Sequence, residues 1–163
     1  MHTIMRLAIV ALAVFALSLP NSVEAQSRET PYWASISAGQ ARMRTGPGRN
    51  FPISWLYQRA GLPVQVVEVY ENWRKIEDPE GTQGWMLVNL LSADRTGMIV
   101  GDIRPLRESP RPDARIRYRA EPGVVGRISS CRRGWCEFDV RGRTGFVETS
   151  HLYGVSDDER VDE

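Results

Sequence analysis

The chain has 163 residues, with 21 basic and 20 acidic side chains and a formal charge of +1. That balance gives no general basic field of the kind that holds nucleic acid. Lys75 is the sole lysine, a bias read first as genome composition and only then as function.

Residues 1–25 read as a cleavable signal peptide. Arg6 supplies the only early cation, and Leu7 to Leu19 is apolar except for Ser18. A run of about 13 residues suits a secretory leader and falls short of the ~20 needed to span a bilayer. Pro20 breaks the helix, and Val23-Glu24-Ala25 predicts cleavage before Gln26. No cysteine lies near the cut, so no lipid anchor is expected. The expected destination is the periplasm or the medium, with no stable membrane insertion after cleavage. Export also removes nucleic acid as a partner.

The remaining chain contains an internal repeat at an offset of roughly sixty residues. Met43-Arg44-Thr45-Gly46-Pro47 matches Leu106-Arg107-Glu108-Ser109-Pro110, and Tyr57 is set against Tyr118. A valine-rich run follows in each copy, Val64 to Tyr70 and Val124 to Ser130. Next come Asn72-Trp73-Arg74-Lys75-Ile76 and Gly134-Trp135-Cys136-Glu137-Phe138. Each copy then shows Gly-x-x-Gly-aromatic-aliphatic, from Gly81 and from Gly142, and closes on Leu91 or Leu152.

The local chemistry is that of short strands and tight turns, rich in β-branched and aromatic residues and bounded by glycine, proline or aspartate. No stretch after the leader offers a long capped helical period. The fold class is therefore all-β. The apolar phase shifts after Val66 and again between Ile128 and Cys131; a strand buried on both faces would explain the first copy alone equally well, but the recurrence predicts a bulge or kink at matching places. Arg44-Thr45-Gly46-Pro47-Gly48 combines left-handed glycine freedom with the fixed φ of proline and predicts a firm turn. Gly81 and Gly84 predict a hairpin that delivers Trp85. Trp33, Tyr70 and Trp85 are left open between packing and ligand contact.

Met98-Ile99-Val100 lies between Gly97 and Gly101 and reads as a strand that begins the second unit, giving a rigid pair of domains. The expected division is a first domain over 26–92, a second over 93–154, and an acidic disordered tail over 155–163. The tail keeps the chain soluble, or alternatively docks a basic surface.

Cys131 and Cys136 flank a four-residue connection, and facing residues on antiparallel strands are close enough for a bridge. A structural disulfide is expected, with a redox-active pair as the alternative. These two thiols and His151 are too few for structural zinc, so no metal and no cofactor are expected.

Both copies resemble bacterial SH3 domains. The motifs are the opening aliphatic-Arg-x-Gly-Pro, the mid-domain tryptophan, and the closing Gly-x-x-Gly-Trp followed by an aliphatic residue. The second copy lacks the glycine before Pro110, carries Phe146 for the closing tryptophan, and adds the cysteine pair. The resemblance implies two tandem small SH3-like β-barrels and an exported, non-enzymatic binding module of the cell envelope, recognising peptidoglycan or a protein segment. An envelope assembly factor with no wall ligand is the alternative.

The candidate binding residues are Arg42, Arg44, Trp55, Tyr57 and Trp73. Arginine forks suit carboxylates of stem peptides and flat rings suit sugars or extended peptides. The same arginines could equally form a solvated face. No catalytic residues are expected: G-x-S-x-G, H-E-x-x-H and phosphate-cradling glycine loops are missing, and two barrels leave no room for a hydrolase domain.

Overall fold

Alternation of buried and exposed side chains marks strands such as Ala41-Arg42-Met43-Arg44, where Ala41 and Met43 point inward. The structure is a computed structural model that describes residues 28–156 and 159–161. The leader and its cleavage site lie outside the described residues.

The first seven strands are β1 (Tyr32–Ile36), β2 (Ala41–Arg44), β3 (Ile53–Tyr57), β4 (Pro63–Tyr70), β5 (Trp73–Glu77), β6 (Gln83–Leu87) and β7 (Leu91–Ser92). They form one antiparallel sheet in the order β3-β2-β6-β5-β4-β1-β7. The next seven are β8 (Thr96–Ile99), β9 (Arg104–Arg107), β10 (Ile116–Ala120), β11 (Val125–Arg132), β12 (Trp135–Val140), β13 (Arg143–Glu148) and β14 (Leu152–Tyr153). They repeat the same order, β10-β9-β13-β12-β11-β8-β14. A single 3-10 turn precedes the last strand of each sheet, at Val88–Leu90 and Thr149–His151. The apolar triplet does begin the second sheet, through β8.

The phase shifts become register shifts at matching places. One falls between Val66 and Glu68 in the β4–β5 pair, the other between Ile128 and Ser130 in the β11–β12 pair. Each bends its long strand so that one sheet wraps two faces of a small core. Ile36, Met43, Val64, Val66, Ile76 and Met86 fill the first core, and Ile99, Leu106, Ile128, Phe138 and Val147 fill the second. Cys131 and Cys136 are bonded to each other and fully buried in that second core. Their first-copy partners are Val69 and Arg74, which face each other at the same register.

Three expectations are corrected. Gly46 does not take a left-handed φ; it leaves room for the partly exposed Phe51 ring, which lies where a Cβ would stand. Tyr118 is not the counterpart of Tyr57: it faces Leu106 as Trp55 faces Met43, so Ala120 occupies the place of Tyr57. The tail is not disordered throughout. Val155 is buried, Glu159 pairs with Arg95, and Val161 exchanges backbone hydrogen bonds with Cys131 on the open side of β11. A half-buried arginine and an unpaired strand edge give this stretch partners that its composition does not advertise.

The end of the second unit presses on the first. Trp33 meets Tyr153 edge to face at 5.0 Å, and its indole N–H donates to the Ser156 hydroxyl at 3.4 Å. The Tyr153 hydroxyl donates to the Glu77 carbonyl at 3.1 Å. Gly154 takes φ +103, and a Cβ there would stand 2.7 Å from Pro63. Trp33 is thus a domain-contact residue, whereas Trp85 packs in the first unit against the half-exposed ring of Tyr70.

Candidate functional site

β2 carries Arg42 and Arg44 on the face opposite Ala41 and Met43. The loop from Thr45 to Pro52 folds back, closed by Thr45 N–H donating to the Pro52 carbonyl, and brings Arg49 to the same side. Between these arginines lies a depression of about 290 Å³, walled by Leu56, Trp73, Leu87 and Asn89. Trp73 is almost wholly buried, while Arg42 and Arg49 are exposed. No acidic side chain lines the depression, and neither Arg42 nor Arg49 forms an ion pair among the described residues. The result is a shallow cationic groove with an apolar floor.

Arg44 has a second task. Its guanidinium donates to the Phe51 carbonyl at 2.6 Å, bracing the loop. Arg107, at the same place in the second unit, donates to the Ala114 carbonyl at 2.7 Å. Recurrence of the same seven-residue reach in both copies marks this contact as a feature of the fold.

Trp55 and Tyr57 lie elsewhere. Successive residues of β3 point to opposite faces, so Leu56 joins the arginines while Trp55 and Tyr57 turn to the other side. They line a cleft of about 740 Å³ together with Met98, Ile99 and Pro122 of the second unit. Trp55 is 57% exposed there. Tyr57 is buried, and its hydroxyl donates to Asp78 Oδ2 at 2.8 Å. Asp78 Oδ1 in turn accepts the backbone N–H groups of Glu80 and Thr82, which shapes the β5–β6 turn. Burial first, and the Asp78 carboxylate second, push the Tyr57 hydroxyl far above its ordinary value. Tyr57 is consequently a lock between β3 and the turn. The five residues picked from sequence fall into two groups: Arg42, Arg44 and Trp73 meet at one groove, and Trp55 and Tyr57 face another.

Leu56, Leu87 and Asn89 were not singled out from the sequence. Leu87 and Asn89 stand at fixed distances after Gly84-Trp85-Met86, and that spacing could have found them. The Tyr57–Asp78 pair, 21 residues apart, has no such signal.

The repeat, the shared strand order and the paired 3-10 turns agree with comparison to known families: the bacterial SH3 domain matches residues 37–92 and again residues 100–154. The chain belongs to the bacterial SH3 domain family. Its two copies make it a tandem of a domain type that serves as a binding module. Comparison with curated proteins gives no match. Among solved structures, the chain is similar to NlpC2 from Trichomonas vaginalis at 12% identity and a TM-score of 0.35, covering 78% of this chain and 49% of that one. NlpC1 from the same organism gives 12% and 0.34, covering 78% and 47%. An NlpC/P60 family protein from Bacillus cereus gives 12% and 0.34, covering 74% and 55%. The chain thus spans about half the length of these proteins.

Proposed function

We propose that this tandem SH3 protein is an exported, non-enzymatic binding module of the cell envelope, and that the groove of Arg42, Arg49 and Trp73 takes a carboxylate-bearing wall fragment such as a peptidoglycan stem peptide. The observation that carries this reading is a pair of unneutralised arginines over an apolar floor. Arginine forks match carboxylates in a bidentate geometry, while Leu56 and Leu87, beside the buried Trp73, offer apolar surface to a side chain or sugar ring. Export before Gln26 accords with a Cys131–Cys136 disulfide, since such bonds persist in oxidising compartments. Among the described residues no helix is long and apolar enough to cross a membrane.

The test is co-sedimentation of the purified chain with cell-wall sacculi. Binding that weakens with salt and in the Arg42→Gln/Arg49→Gln variant is expected; recovery of all protein in the supernatant sinks the wall reading.

A second reading, a protein-interaction role with no wall ligand, is favoured by β3. Among the described residues this edge strand pairs with β2 alone and exposes Ile53, Trp55 and Leu56. An unpaired apolar edge suits an extended segment of another protein. Its counterpart β10 carries Arg117 and Arg119 in alternation and is guarded by charge.

A further inference from the structure

We propose that the second barrel holds a separate pocket for an acidic peptide, with an aromatic side chain of that peptide as its anchor. The pocket is visible through a difference between the two copies. In the first, Tyr57 fills the space between β3 and the β5–β6 turn, lying against Met43 and donating to Asp78. Register gives the second-copy equivalents. Ala120 faces Arg104 as Tyr57 faces Ala41, and Phe138 faces Gly145 as Ile76 faces Gly84. Two residues beyond Ile76 and Phe138 stand Asp78 and Val140. Both halves of the lock are therefore replaced, tyrosine by alanine and aspartate by valine. The vacated space is a depression of about 310 Å³ floored by Leu106, Ala120, Val124 and Val140. Those side chains offer no hydrogen bond to a buried polar group, so the occupant must be apolar where it enters, and the ring in the sister barrel shows the size that fits.

The rim is cationic. Arg119 and Arg143 border the depression beside Tyr118, with Glu121 also on the rim. Val124, Val140 and Arg143 continue into an adjoining cleft of about 420 Å³, where Arg141 and, from the first barrel, Arg59 converge. In the first barrel the corresponding turn is acidic, with Asp78 and Glu80. None of Arg59, Arg119, Arg141 and Arg143 makes an ion pair among the described residues, although Arg104, Arg111, Arg115 and Arg117 all have carboxylate partners. Unlike those four, the arginines around the pocket leave their guanidinium forks open to a ligand. An apolar socket ringed by open guanidinium forks selects a carboxylate-flanked ring. This site is distinct from the Arg42 groove and stands or falls without it.

Fluorescence anisotropy with a labelled peptide, one tyrosine flanked on each side by aspartates, tests the assignment on the full chain. Binding is expected, weakened about tenfold when the tyrosine is replaced by alanine and by a similar factor in the Arg141→Asn/Arg143→Gln variant. Ala120→Tyr, which refills the socket as in the first barrel, should abolish it, while Arg111→Gln, at an exposed arginine outside the pocket, should leave it unchanged. Arg141 already has φ +54, which asparagine tolerates, so the arginine variant keeps the fold even if Ala120→Tyr does not. Equal affinity of the alanine peptide, unchanged affinity of a folded Ala120→Tyr, or complete displacement by an acidic polysaccharide at matched charge would overturn the proposal.

Discussion

Tyr57 shows how one residue can look like a ligand contact and serve the fold. Its hydroxyl caps the buried Asp78 carboxylate. Tyr57→Phe would leave Asp78 Oδ2 short of a partner, at a cost of about 1–3 kcal/mol in a denaturant melt. Because the folded-state value is raised, the stabilisation is present below the ordinary tyrosine pKa of ~10 and is lost as pH rises beyond it. Tyr153 shifts in the same direction, chiefly through burial, so Tyr57→Phe should reduce the alkaline loss of stability without removing it. Asp139 has the opposite sign. The Gly142 N–H first, and the Thr144 hydroxyl second, hold its carboxyl below the usual range. Its contribution is present above the ordinary carboxylate pKa of ~3.9 and disappears as pH falls below it. Asp139→Asn should flatten that acid limb in thermal melts recorded across pH.

Among the elements, the strands and their bulges were legible because local pattern dictates them. The shift from Val66 to Val67 fits a two-sided strand or a bulge, its recurrence in the second copy favours the bulge, and the cysteine spacing fits a hairpin in which Cys131 faces Cys136. What was not legible depends on distant partners. Register between β9 and β10 sets Tyr118 opposite Leu106, two residues from where aligned tyrosines would place it. Gly46 leaves room for the Phe51 ring, a contact that composition does not show. The site was legible in part: β-strand alternation separates Leu56 from Trp55 and Tyr57, but a list of aromatics and arginines without assigned faces merges two grooves. The disulfide closes a short loop, worth roughly 2 kcal/mol in the chain-entropy estimate. A Cys131→Ala/Cys136→Ala variant should lose at least that amount in urea unfolding, because both sulfurs are also buried in the core.

At the scale of the whole molecule, duplication produced two barrels with the same strand order and different surfaces. The first presents a bare apolar edge and the Arg42 groove; the second guards its edge with arginine and opens a socket where the first has a lock. Their contact rests on Trp33, Tyr153 and the close approach of Gly154 to Pro63. Trp33→Ala removes an aromatic pair worth about 0.5–1.5 kcal/mol beyond its burial. Small-angle scattering should then show a broader distance distribution than the parent chain, with each barrel still folded.

Binding of the first barrel through its cationic groove can be followed by a nitrogen-15 NMR titration with soluble muropeptides carrying free stem-peptide carboxylates. Shifts are expected at Arg42, Arg49, the Trp73 indole, Leu87 and Asn89, and their loss in Arg42→Gln/Arg49→Gln. A spectrum unchanged at saturating muropeptide, or shifts confined to surfaces away from these residues, would contradict it.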